Sequence, residues 1–235
     1  MINTSKIKIG YSKINSLLEE FGIEYNINKT KPIKLDPKNI SSKFFNTIRR
    51  GNFSKGYKEC RNEYDYDFLL SDGDIFLFEM WQNENSHVSK LFYLYLESPY
   101  LINTYNEYLI SNGLTYSEDG NSYFENYLLE IDDFPLKESM IKIHYDYFPD
   151  DYQELIHPAS HIHIGNRDDV RIPIKSIWSP VEFVCFCLKI TKYDRWKTAI
   201  KTCNFSDIII NQKSNSIELE NNKFSKKDEC EYYFR

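Results

Sequence analysis

The sequence predicts an α+β fold: a mainly antiparallel sheet flanked by N-terminal helices and by one long helix in the C-terminal half. Three observations carry this. Tyr11, Ile14, Leu17, Leu18 and Phe21 recur at helical spacing. Short runs rich in aromatic and β-branched residues, such as Ile75 to Trp81 and Met140 to Phe148, are bounded by turn signals. Ser179, with Pro180 next and Glu182 three residues on, forms a capping box ahead of an apolar run.

In chain order, Thr4 to Phe21 reads as one amphipathic helix, stopped by Gly22. Ile23 to Asn39 holds two prolines and many polar residues and reads as a loop. Ser41 or Ser42 can cap a short helix through Phe44, Phe45 and Ile48, closed by Gly51. Arg49 and Arg50 fall in its last turn. There they either complement the helix dipole or contact phosphates.

Tyr64 to Leu70 and Ile75 to Trp81 flank Asp72-Gly73, a strong hairpin signal, and Leu91 to Leu96 reads as a third antiparallel strand. Glu79, after Asp72 and Asp74, suggests a metal-dependent nuclease core. The lysine such a core needs is missing, because Met80 and Trp81 follow, and the plainer reading is a solvent-facing carboxylate. Tyr100 to Ile110 reads as a helix ended by Asn112-Gly113, and Ser117 to Gly120 as a loop. Tyr123 to Ile131 is compatible with helix or strand.

On the Met140 to Phe148 strand, alternation places Ile141, Ile143, Tyr145 and Tyr147 on one face, and His144, Asp146 and Phe148 on the other. The Ser179-capped helix runs to about Trp196 or Ile200. A small hairpin (Ile208 to Ile210 with Ile217 to Leu219) and a short terminal helix complete the chain.

The 235 residues suffice for one domain over 1–235, with 205–235 readable as a small C-terminal appendage. The net charge of -6 is spread without an acidic or basic tail, so bulk electrostatics favours neither nucleic acid nor an anionic membrane. An aromatic share of 16% with only 8 Gly and 8 Pro argues for a structured, strand-bearing domain and against disorder. Five cysteines without a regular framework suit reduced thiols. Cys185 and Cys187 lie in an apolar helical run and read as core rather than as zinc ligands. The start lacks a basic region followed by an apolar core, and no apolar run reaches the ~18 residues of a membrane span. A cytoplasmic location with no membrane partner is expected.

The chemistry concentrates in His157 to Gly165, His-Pro-Ala-Ser-His-Ile-His-Ile-Gly, which carries three of the chain's five histidines. Ser160 to Ile164 alternates as a strand, so His161 and His163 share a face about 6.5 Å apart by the usual rise. If Gly165 to Asp169 is a turn and Val170 to Ile174 returns, His163 lies opposite Arg171, and Arg171 joins that face. A slip of one residue would reverse this. His157, in a loop fixed by Pro158, can fold over the same face.

Three readings follow. His157, His161 and His163 bind a metal, making a divalent metal ion the candidate cofactor. Alternatively, His161 and His163 transfer protons while Arg171 clamps a phosphate and Asp146, from a neighbouring strand, orients a histidine. In the third reading the imidazoles only hold a hairpin together, satisfied by Asp146, Asp168, Asp169 or backbone groups.

His144 to Tyr147, His157 to Gly165, Arg171 to Pro173, Ser179 to Val184 and, more loosely, Tyr193 with Trp196 resemble in their order a prokaryotic family known as the domain of unknown function numbered 2290. The resemblance is strongest over the C-terminal half, extends less closely to Asp65 to Phe78, and implies no particular activity. A fainter similarity links Tyr145-Asp146 and His157, His161 and His163 to the core of TumE-type toxins, which are much shorter.

The expected function is therefore a toxin-like effector of a bacterial defence or toxin–antitoxin locus. It would act as a ribonuclease or phosphodiesterase on RNA or a nucleotide phosphate through His161, His163, Arg171 and Asp146. The alternative is a non-enzymatic interaction module (a sensor, an immunity protein or a subunit of a defence complex) with a protein partner such as an antitoxin. The net acidity favours this alternative, because an RNA-cutting enzyme is better served by a basic surface.

Overall fold

A computed structural model of the chain describes residues 3–27, 47, 53–101, 105–120, 122–130, 134–165, 169–214 and 216–234. The helix expected from Ser41 or Ser42 to Gly51, with Arg49 and Arg50, lies outside the described residues apart from Thr47. So do Asn166, Arg167 and Asp168 of the turn after the histidine strand.

The fold is α+β. Its main sheet has seven strands among the described residues: β1 (Tyr25–Ile27), β2 (Phe68–Leu70), β3 (Ile75–Gln82), β4 (Val88–Leu96), β5 (Lys142–Tyr147), β6 (Ser160–Ile164) and β7 (Ile172–Pro173). They lie in sequence order, each antiparallel to the next. β1 falls inside the stretch expected as loop. The Asp72-Gly73 hairpin forms, with Gly73 at φ 84° and the Leu70 N–H donating to the Asp74 carbonyl at 2.8 Å.

The expected first helix is divided into α1 (Thr4–Ser12) and α2 (Ile14–Phe21), with Lys13 still in the right-handed region between them. Gly22 stops α2 at φ 71°, a conformation that costs glycine little. α3 (Phe53–Asn62) precedes β2, and its apolar stripe of Phe53, Tyr57 and Cys60 went unread in the sequence. Between β4 and β5 come α4 (Tyr105–Ser111), α5 (Tyr116–Asp119) and α6 (Phe124–Glu130). Thus Ser117 to Gly120 is largely a helical turn rather than a loop, and the ambiguous stretch from Tyr123 is a helix.

α7 (Pro180–Thr191) carries the expected capping box, with Ser179 N–H donating to Glu182 Oε2 at 2.7 Å. Lys192 leaves helical geometry at φ -127°, and α8 (Tyr193–Ala199) follows as a separate helix. Ile208 to Ile210, expected as a strand, lies in α9 (Cys203–Ser214). The other half of that expected hairpin is β9 (Ile217–Glu218), which pairs with β8 (Ser176–Ile177) instead.

Side-chain alternation gives the sheet two buried faces. On one, Phe76, Phe78, Tyr93, Tyr95, Ile143, Tyr145 and Ile162 join Leu17 and Leu18 of α2, Phe183 and Val184 of α7, and Phe205 of α9 in one core. Cys185 and Cys187 are buried in the same core. The high aromatic content is spent here on edge-to-face and tilted contacts, such as Phe78 with Phe183 at 6.2 Å and Tyr93 with Phe183 at 5.7 Å. On the other face, Leu69, Ile75, Leu77, Leu94 and Leu96 pack against α3, α4 and α6. That second core does not include the facing residues of β5 and β6, which are polar. Among the described residues no helix is long and apolar enough to cross a membrane.

Candidate functional site

The polar end of the second face is built by strand pairing. β5 and β6 align His144 with His163 and Asp146 with His161, while Tyr145 pairs with Ile162 toward the apolar core. The core side is anchored by Tyr145, whose hydroxyl bonds Ser160 Oγ at 3.0 Å and accepts the Trp178 N–H at 3.1 Å. Because both strands are held from that side, their even- and odd-numbered polar residues meet on the other. The rings of His144 and His163 stack at 4.0 Å, 14° from parallel. His161 stands edge-on to His163 at 4.9 Å.

The imidazoles converge on one atom. Nε2 of His144, His161 and His163 lies 3.5, 3.6 and 3.5 Å from Oδ2 of Asp146. All four residues are buried, His161 at 1% exposure and Asp146 at 8%. One donor atom from each of His144, Asp146 and His163 lies within 4.8 Å of the other two, so these three are the group most closely arranged for a cation. His161 meets them at the carboxylate. Burial raises the Asp146 carboxyl above its usual range, and His163, His157 and Arg171 pull against that rise. Burial, then His163, pushes the His161 imidazole down to about 3, so it is neutral at physiological pH. Its Nδ1 lies 2.9 Å from the Pro158 carbonyl.

The β6–β7 register pairs His161 with Pro173 and Ile162 with Ile172. Arg171 directly precedes β7. Arg171 acts electrostatically on both Asp146 and His161. Its Nε is buried without a hydrogen-bond partner among the described residues.

His157 is brought in as well, but against His161 (ring centroids 5.1 Å apart). Its loop closes by paired backbone bonds between Gln153 and His157, at 2.9 and 2.8 Å. Asp228 pins the loop from the far end of the chain, accepting the Leu155 N–H at 2.9 Å and the Tyr152 hydroxyl at 2.7 Å. Of the residues expected in the site, His161, His163 and Asp146 meet directly, with Arg171 and His157 around them. The fourth inner residue, His144, was not singled out from sequence. The signal was present in His-x-Asp on one strand and His-x-His on another, but their register was not readable.

The carboxylates of the nuclease reading do not assemble. Glu79 is buried in mid-strand, at 5% exposure, rather than facing solvent. Asp72 and Asp74 are taken up by Lys192 Nζ, at 2.5 Å each.

A family model described as "Uncharacterized conserved protein (DUF2290)" matches residues 18–233, nearly the whole chain. No curated protein and no solved structure matches the chain.

Proposed function

The chain belongs to the DUF2290 family, and from that premise we propose that it is a toxin-like effector of a bacterial defence or toxin–antitoxin locus, acting on RNA or a nucleotide phosphate through the β5–β7 face. One observation carries the reading: a guanidinium with an uncommitted buried Nε, Arg171, adjoins a carboxylate on which three imidazoles converge. Arginine is the side chain best suited to grip a phosphate by two parallel hydrogen bonds. Phosphodiester cleavage needs an attacking oxygen to lose a proton and a leaving oxygen to gain one. His161 and His163 serve as proton-transfer groups or ligands. Asp146 orients them.

The test is expression of wild type and of the double variant His161→Ala/His163→Ala, followed by incubation of each folded, purified protein with total RNA and with nucleotides. The expected result is growth arrest and cleavage by wild type alone. Equal behaviour of the two folded proteins rejects the reading. The net charge of -6 favours a second reading, a non-enzymatic interaction module. Intact RNA and nucleotides together with one stoichiometric co-purifying protein would select it.

A further inference from the structure

We infer that His144, Asp146 and His163, with His161 beside the same carboxylate oxygen, form a binding site for a single first-row transition metal ion, with zinc the best fit. The inference deepens the phosphate-directed reading, since it concerns the same face, but it stands or falls on metal binding rather than on turnover.

The first argument is spacing. The three Nε2 to Oδ2 separations of 3.5–3.6 Å are too long for charge-assisted hydrogen bonds, which close to about 2.7–2.9 Å. They match the edge of a coordination polyhedron. Two donors about 2.1 Å from one ion and about 3.5 Å apart subtend about 113° at it, close to the tetrahedral angle that zinc prefers.

The second argument is tautomeric. A backbone carbonyl only accepts, so the contact of His161 Nδ1 with the Pro158 oxygen, 2.9 Å away, places the ring hydrogen on Nδ1. That leaves Nε2, 3.6 Å from the carboxylate oxygen, as the ring's ligand atom. A cation between the nitrogen and the oxygen would be bound by both. An Nδ1–H donated to a backbone carbonyl is also the usual outer support of a metal-bound histidine.

The third argument is donor type. Imidazoles with one carboxylate suit zinc or its neighbours, whereas calcium and magnesium demand oxygen ligands. His144, Asp146 and His163 supply the mutually close donors, and His161 stands 3.6 Å from the same carboxylate oxygen. Zinc held by three protein ligands keeps a fourth position open, which leaves room for a phosphate oxygen beside Arg171.

The test uses the full-length protein, stripped with a chelator and titrated with Co²⁺ and then Zn²⁺. The expected result is one equivalent of Co²⁺ with tetrahedral-type visible absorption, displaced by Zn²⁺. No thiolate charge-transfer band should appear, which excludes the cysteines. Asp146→Asn and His163→Ala should each weaken binding at least about tenfold. Zinc should raise the thermal midpoint of wild type and not of Asp146→Asn.

Absence of saturable binding by wild type, or variants that bind as tightly as wild type, overturns the inference. If the metal binds as stated while RNA and nucleotides stay intact, the effector reading alone fails. If RNA is cut by wild-type protein that binds no metal, the metal site alone fails.

Discussion

Two ionic clusters lie at different places in the same sheet, and they are built differently. At the β2–β3 turn, Lys192 reaches Asp72 and Asp74 at 2.5 Å each. Asp74 also accepts the Ser98 N–H at 2.8 Å and the Tyr95 hydroxyl. Every charge there is matched at contact distance. Burial and Asp74 raise the Asp72 carboxyl, and Lys192 opposes the rise. On β5 and β6 the groups stand 3.5–3.6 Å apart, and Nδ1 of His163 is buried without a partner among the described residues. A buried polar group left unmatched is costly. The first cluster is complete within the protein, a clamp from the end of α7 onto the hairpin. The second is spaced for something the chain does not itself supply.

The comparison can be broken by measuring stability at each cluster. The largest effect is expected for Lys192→Met, which leaves the buried Asp74 beside the half-buried Asp72 without a cation. It should cost about 3–5 kcal/mol in urea unfolding, the same with or without metal. Chelation should come next. With zinc at about a hundred times its dissociation constant, wild type should gain about 2.7 kcal/mol, and Lys192→Met should gain as much. If chelation leaves wild type unchanged, the contrast between the clusters disappears.

Ser179→Ala, which removes the cap of the helix that carries Lys192 at its end, should cost about 1 kcal/mol in the same assay. The smallest effect is expected for Asp146→Asn in metal-free protein, under about 1 kcal/mol, because its carboxylate makes only long contacts with the histidines. A loss as large as that of Lys192→Met would show instead that the histidine cluster is itself a structural ion pair.

Local signals in the sequence were dependable where they carried their own geometry. The capping box at Ser179 and Glu182 needs only three residues to act, and it forms. Alternation on β5 and β6 placed Asp146, His161 and His163 off the apolar core, because side chains of a strand alternate whatever its neighbours. Ile208 to Ile210 misled because β-branched residues suggest a strand. The better signal was Phe205, Ile208, Ile209 and Gln212 at helical spacing, which turns one stripe of α9 onto the core. The membership of His144 was not readable, since a strand does not declare which other strand it will lie beside.

The sequence by itself therefore determined the α+β class, the alternation that puts His161 and His163 on one face of their strand and His144 and Asp146 on one face of theirs, and the start of the long helix. Only the tertiary structure decided that β5 pairs with β6 in the register that sets His144 against His163 and Asp146 against His161. Alternation and capping act within a few residues of the chain. Convergence of three imidazoles on one carboxylate oxygen depends on the pairing of strands whose partners lie 13 to 21 residues away, and that pairing is settled by packing the whole sheet against its helices.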